Sequence, residues 1–304
     1  MIKLNYFSIT IALYVMGIYI SYGQGCSDAG FCTINSFKPN STDSTAVSSN
    51  QLKIGTFFGN ADNSISTYGG YFEYSRQLNK KFGLDTKLTT IAQTGNEISV
   101  FSLSDIFVNA NYKVTERLKF TLGAKIPLSK ANKTKENLPL PMDYQPSLGS
   151  FDLIFGVGYA VKKMQFVAAI QQPLIQNDNR FLATNYPFAS KLRTFQSTNK
   201  FERAGDVLVR ISYPLSVNSK LKLTPNILPI YHLNNDKYVD EFDVKKEIIG
   251  SKGLTLNGNL YVDYEVASHS SIQLNLGVPF IVRDARPDGL TRSFIVNLEY
   301  RIKL

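Results

Sequence analysis

Two histidines, His232 and His269, are the only imidazoles in a chain of 304 residues. A hydrolase of the serine type needs one of them as a base beside a nucleophilic hydroxyl, held in place by a third group. His232 falls at the end of one candidate strand. His269 sits in a turn, Ser268-His269-Ser270, at the opposite end of another. Neither position lies on a lipid-facing surface, where a phospholipase must work, so the chain reads as a non-enzyme. Asp236, Asp240, Glu241 and Asp243 share one loop with Lys237, Lys245 and Lys246, which is the pattern of a solvated charged loop. Cys26 and Cys32 are the only cysteines, within Cys-Ser-Asp-Ala-Gly-Phe-Cys. In an exported chain such a pair reads as a disulfide closing a small loop. Acylated Cys26, a redox pair and free thiols stay open as alternatives. No histidine lies near enough to complete a zinc site, and nothing in the chain asks for a cofactor.

The side chains with most chemical content are charged residues spaced every second position. In the last segment Phe294, Val296, Leu298, Tyr300, Ile302 and Leu304 alternate with Asn297, Glu299, Arg301 and Lys303. Successive side chains of a strand point to opposite faces, so this is a strand with one apolar and one charged face. The same alternation recurs. Leu254, Leu256, Leu260, Val262, Tyr264 and Val266 stand against Thr255, Asn257, Asn259, Asp263 and Glu265. Phe151, Leu153, Phe155, Val157 and Tyr159 stand against Asp152. Twelve strands are expected between Gln51 and Leu304, joined by short turns such as Asn79-Lys80-Lys81, Thr115-Glu116-Arg117 and Lys162-Lys163. These alternate with longer connections, the longest over Ile175–Ala204. An even strand count, strands of about ten residues and this rhythm predict an all-β fold: a single transmembrane antiparallel up-and-down β-barrel. A soluble two-sheet sandwich is the competing fold.

In such a barrel the polar parity faces the lumen. It places Asp85, Lys87, Lys125, Asp152, Arg210, Asp263, Glu265, Glu299 and Arg301 inside, with Asp105, Lys119 and Lys303, either as a salt-bridge network packing the interior or as a polar pore lining. Ile91, Phe107, Ile154, Val167, Leu208, Leu228, Ile230 and Ile295 share that parity, as a greasy route or as filling. Tyr74, Tyr112, Tyr159, Tyr213, Tyr264 and Tyr300 have the lipid-side parity near the short turns. They predict an aromatic girdle at the periplasmic interface. Phe181, Tyr186, Phe188 and Phe195 in the longest loop are lid or loop-packing residues.

The formal net charge is +9. Lys and Arg are spread through alternating strands with no basic helix, so a basic lumen and basic loops are expected and a nucleic-acid partner is not. Residues 1–24 combine Lys3, an apolar run from Phe7 to Ile20 and a small and polar exit, the pattern of a cleaved signal peptide. Residues 25–50 read as a periplasmic segment, with the cysteine pair followed by a flexible linker from Thr33 to Asn50. Residues 51–304 form the barrel, with both termini in the periplasm.

Tyr144-Gln-Pro-Ser-Leu-Gly-Ser-Phe-Asp152 and the following Leu153-Ile-Phe-Gly-Val-Gly-Tyr159 resemble the MetA-pathway (phenol-degradation) family of outer-membrane channels. The likeness covers roughly Leu118 to Gln172, including Lys125-Ile-Pro127, and departs at Ser147, where the family usually has Gly. It implies uptake of small hydrophobic compounds, in the manner of the fatty-acid channels. The leader ending in Gln24 and the final Tyr-x-Ile-x-Leu look like Bacteroidetes envelope proteins. That ending also looks like the signal read by the barrel-assembly machinery. The expected role is therefore an outer-membrane channel or transporter for small solutes in a Gram-negative bacterium, with outer-membrane lipid, the assembly machinery and the solute as partners. A non-conducting structural or assembly barrel is the alternative, and a phospholipase-like barrel the second.

Overall fold

Alternation of apolar and polar residues gives each strand two unlike faces, and the chain buries the polar one. In the computed structural model, which describes residues 33–39, 50–289 and 293–304, this produces twelve long antiparallel strands. They are β1 (Gln51–Asn60), β2 (Ser66–Gln77), β3 (Phe82–Gly95), β4 (Ile98–Lys113), β5 (Leu118–Pro127), β6 (Phe151–Val161), β7 (Met164–Ile175), β8 (Asp206–Ser212), β9 (Leu221–His232), β10 (Gly253–Ala267), β11 (Ser270–Ile281) and β12 (Phe294–Lys303). Each pairs with its sequence neighbours. The ring closes where β1 meets β12, from Gln51 opposite Lys303 to Asn60 opposite Phe294. The all-β barrel expected from the sequence is thus the fold.

Parity decides which side each residue takes. In β10, Thr255, Asn257, Asn259 and Tyr261 are buried, while Leu254, Tyr264 and Val266 are exposed. Around the outside Ile54, Leu122, Phe155, Ile227, Phe280 and Leu298 face outward and uncovered. An apolar band encircling a whole barrel far exceeds the few hundred Å² that a water-soluble surface leaves exposed. It is a lipid-facing surface. Closure is what permits it, because an open strand edge in hydrocarbon would leave unpaired N–H and C=O groups.

One end carries short turns, at 78–81, 114–117 and 162–163. All six girdle tyrosines lie toward that end on outward positions, in rows such as Ile54, Tyr300, Ile272 and Tyr264 across adjacent strands. The other end carries the long connections, with two exceptions, the five residues 61–65 between β1 and β2 and the link between β3 and β4. That link is a two-residue turn, Asn96-Glu97, both with positive φ (50° and 62°). Two left-handed residues match the right-handed twist of the flanking strands, so β3 and β4 continue as a hairpin past the end of β5, while β2 stays paired with β3 as far as Thr94.

The linker expected over Thr33–Asn50 is corrected in its first part. Residues 33–39 lie inside the barrel, with a 3₁₀ turn at Asn35–Phe37 and both Ile34 and Phe37 fully buried. Two apolar side chains three residues apart have an apolar patch to meet there, and a free linker would leave both in water. Residues 40–49, the proposed signal peptide, Cys26 and Cys32 lie outside the described residues.

The lipid-facing band makes a direct prediction. Leu122, near the middle of β5 and 60% exposed, should tolerate no charge. Leu122→Arg is expected to lower the stability of the barrel in lipid vesicles, read by urea titration, by about 2–4 kcal/mol. A loss below about 0.5 kcal/mol, ordinary for a water-facing position, would contradict the lipid assignment.

Candidate functional site

The lumen is organised by the segment that fills it. Ile34 and Phe37 join a cluster with Phe107, Ile154, Val167, Ala169, Leu208, Leu228 and Ile230. All but Ala169 of those wall residues had been read as greasy route or filling; here they are the dock for the plug. Gly156 makes room for it, since a Cβ there would lie 2.3 Å from the Phe37 ring.

Polar contacts seat the rest of the plug. Asn35 Nδ2 and Ser36 Oγ donate to the two oxygens of Asp85, at 3.3 and 2.9 Å. Lys38 Nζ lies 2.5 Å from Glu299 Oε2, Lys87 Nζ donates to Thr33 Oγ1 at 2.5 Å, and Arg210 donates to the Phe37 carbonyl. Four of the expected lumen residues, Asp85, Lys87, Arg210 and Glu299, therefore hold the plug. Arg301 braces Glu299 and reaches Asp263 at 3.0 Å. Lys125 and Asp152 form a fully buried pair at 3.0 Å, joined by Gln171 and by Ser150 at 3.0 Å from Lys125. Glu265 is exposed in the space below the plug. The sequence reading left out Lys53, Glu73 and Tyr71. Lys53 and Glu73 pair at 2.9 Å, and the Tyr71 hydroxyl donates to Glu299 at 2.6 Å. The parity of Glu73 beside Phe72 and Tyr74 could have revealed it. No period marked the plug itself.

Two spaces remain. Above the plug is a chamber of about 90 Å³, walled by residues including Phe57, Ile91, Phe107, Tyr261 and Ile295, floored by Lys87 and Tyr71, and roofed by Gln145–Leu148 of the β5–β6 loop. Below it, at the short-turn end, opens a vestibule of about 770 Å³ lined by twelve Lys and Arg side chains against four Asp and Glu. The expected basic lumen is concentrated there.

The long loops cap the other end. Phe181, Tyr186 and Phe195 are buried with Ile65, Ile98, Leu140, Tyr144 and Leu192, so they pack the cap; Phe188 is exposed under the Arg193 guanidinium. His232, at the end of β9, ties the start of β8 to the β9–β10 loop. Its Nδ1 lies 2.6 Å from Asp206 and its Nε2 2.7 Å from Asp236, so both ring nitrogens face carboxylates. Arg203 contacts Asp206 at 2.5 Å, and Arg283 contacts Asp288 at 3.0 Å. Asp236 is thus separated from the rest of its acidic run. Asp240 caps the Phe242 and Val244 amides at 2.9 Å each, while Glu241 and Asp243 are exposed. His269 sits at the short-turn end, 2.7 Å from the adjacent Ser268 hydroxyl.

Asp143, in the roof loop, is held by Asn63 at 3.1 Å, with Asp62 and Asp288 nearby. Burial pushes its carboxyl up to about 7, more than the Asn63 bond lowers it.

These features define a class: a closed, lipid-facing β-barrel plugged from within by its own N-terminal segment. No family model matches the chain, and no curated protein matches it. Among solved structures it is similar to the NanC porin, with a TM-score of 0.46 and 10% identity, covering 84% of this chain and 99% of that one. The CymD monoaromatic hydrocarbon channel gives 0.46 and 9%, covering 94% and 95%. The translocator domain of the autotransporter NalP from Neisseria meningitidis gives 0.47 and 9%, covering 86% and 90%.

Two predictions follow from the interior. Lys125→Met leaves Asp152 buried and unpaired and should cost about 3–5 kcal/mol in urea titration, whereas Lys125→Met with Asp152→Leu should recover most of it. An undiminished loss in the double variant would contradict the pairing. For Asp143, a folded pKa above the unfolded one favours the folded cap at low pH. Its contribution is complete below about pH 4 and is lost as pH rises through about 7. Amide exchange over 140–145 should therefore be slower at pH 5 than at pH 8 after correction for intrinsic rates, and Asp143→Asn should abolish the difference. A difference that survives in Asp143→Asn would contradict it.

Proposed function

We propose that the chain is an outer-membrane channel for small solutes, gated by its own N-terminal segment. The observation that carries this reading is the plug, which sits across a polar lumen between a small chamber and a wide vestibule. Residues that merely filled a structural barrel would come from the wall. Here a separate segment does so, through one apolar cluster and a handful of polar contacts, an arrangement that can be undone without unfolding the wall.

In this reading the short-turn end, the girdle tyrosines and both termini face the periplasm, and the long loops face outward. Residues 1–24 are a cleaved signal peptide, and Cys26 and Cys32 a disulfide just before the plug. The apolar walls of the chamber support solutes with hydrophobic surface, as the likeness to the MetA-pathway channels implies. Delivery by the barrel-assembly machinery through β12 and a Bacteroidetes source belong to the same proposal.

The alternative, a non-conducting barrel, draws support from closure at both ends by plug and cap. Planar-bilayer recordings separate the two. The parent should conduct weakly, and the variant Ile34→Asp with Phe37→Ser should raise conductance by about tenfold by freeing the lumen. A folded variant as tightly sealed as the parent would refute the channel reading.

A further inference from the structure

We propose that the chamber above the plug is a binding site for a small organic anion whose charge is carried on an apolar, ring-sized body. The proposal rests on the channel reading and names the solute class that this channel would take.

The argument begins with charge. At the level of the plug, Glu73 is paired with Lys53 at 2.9 Å, Glu299 with Lys38 at 2.5 Å and Asp263 with Arg301 at 3.0 Å. Arg210 donates to the Phe37 carbonyl, and a further cation of this level is Lys87, which is 4% exposed and lines the chamber. Among the described residues it has no carboxylate within ion-pair distance. Its ammonium donates to Thr33 Oγ1 at 2.5 Å and stands 4.3 Å from the centre of the Tyr71 ring. One hydroxyl and one ring face use part of the capacity of a group with three donors. A buried charge without a counter-charge is costly, and an anion bound beside it removes that cost.

The shape of the chamber sets the rest of the ligand. Its space is enough for roughly six to nine water molecules, the size of a single ring with a small head group. Phe57, Ile91, Phe107, Ile295 and Tyr261 give it apolar walls. Two carboxylates line the chamber: Glu299, near the floor, is held by Lys38 at 2.5 Å and by the Tyr71 hydroxyl at 2.6 Å, and Asp105, nearer the roof, is occupied by the Ser104 and Ser147 hydroxyls at 2.8 and 2.6 Å. Lys87 pairs with Phe107 across the β3–β4 ladder, and Asp105 lies two residues nearer the loops, roughly 7 Å further along the strand. A bound anion is therefore oriented with its head toward the plug and its apolar body toward the roof. Because Lys87 also holds Thr33, the guest would share its ammonium with the plug.

The test uses the full chain in detergent and titration calorimetry with benzoate and its neutral analogue benzamide. Folding of every variant is checked by heat-modifiable gel migration. Benzoate should bind, benzamide should bind about tenfold or more weakly, and Lys87→Met should weaken benzoate about tenfold or more while leaving benzamide unchanged. Lys87→Arg should keep benzoate binding. Should Lys87→Met fail to fold, the parent's preference for benzoate over benzamide and its retention in Lys87→Arg decide. Equal affinity for the two probes, no benzoate binding, or full benzoate affinity in folded Lys87→Met would overturn the site. The conductance of the plug variant is read in parallel. If it rises while benzoate fails, only the site is wrong; if it stays sealed, the channel reading itself falls.

Discussion

Hydrocarbon cannot hydrogen-bond a peptide group, and that single constraint shapes this molecule. Every N–H and C=O within the apolar band must find its partner in a neighbouring strand. β1 therefore has to meet β12, and the ladder from Gln51–Lys303 to Asn60–Phe294 does so without a register shift. Once the sheet closes, alternation leaves no freedom: each strand shows one face to lipid and the other to the lumen. The lumen then receives all the charge that the outside cannot carry.

A twelve-stranded interior is too wide for wall side chains alone to fill it, and the gap is closed by chain that is not wall. The plug works because it is amphipathic on a very small scale. Ile34 and Phe37 complete an apolar cluster on one side of the lumen, while Asn35, Ser36 and Lys38 satisfy Asp85 and Glu299 on the other. Buried charges in the wall would be expensive if left alone, so the plug and the wall stabilise one another. The same logic favours a bound counter-charge wherever a buried cation lacks one, as at Lys87.

The period-two signal made most of the wall legible. Leu254 to Val266 and Phe294 to Leu304 could be assigned face by face. Charge inside the barrel could be read the same way, which is why Asp85, Lys125, Asp152, Arg210 and Glu299 were found. What those side chains touch could not be read. Parity says that Asp85 faces inward, but only the fold brings Ser36 to it. The plug escaped because two apolar residues in a polar stretch have no period. The Asn96-Glu97 turn escaped because Thr94-Gly95-Asn96 has loop composition, although Ile98 and Val100 already continue the alternation. A shift of register between Leu88 and Thr90, where β3 meets β4, likewise leaves no mark on composition.

The central claim is that one face of every strand meets lipid and the other a filled lumen. Spin labels placed one at a time from position 254 to 262 of β10, in a background lacking Cys26 and Cys32 and reconstituted in vesicles, test it most directly. The account predicts that labels at 254, 256, 260 and 262 are reached by oxygen dissolved in the bilayer and not by a water-soluble nickel chelate. Labels at 255, 257, 259 and 261 should be immobilised and poorly reached by oxygen. Collisions with the nickel chelate at 256, 260 and 262, or accessibility that does not alternate along the strand, would contradict it.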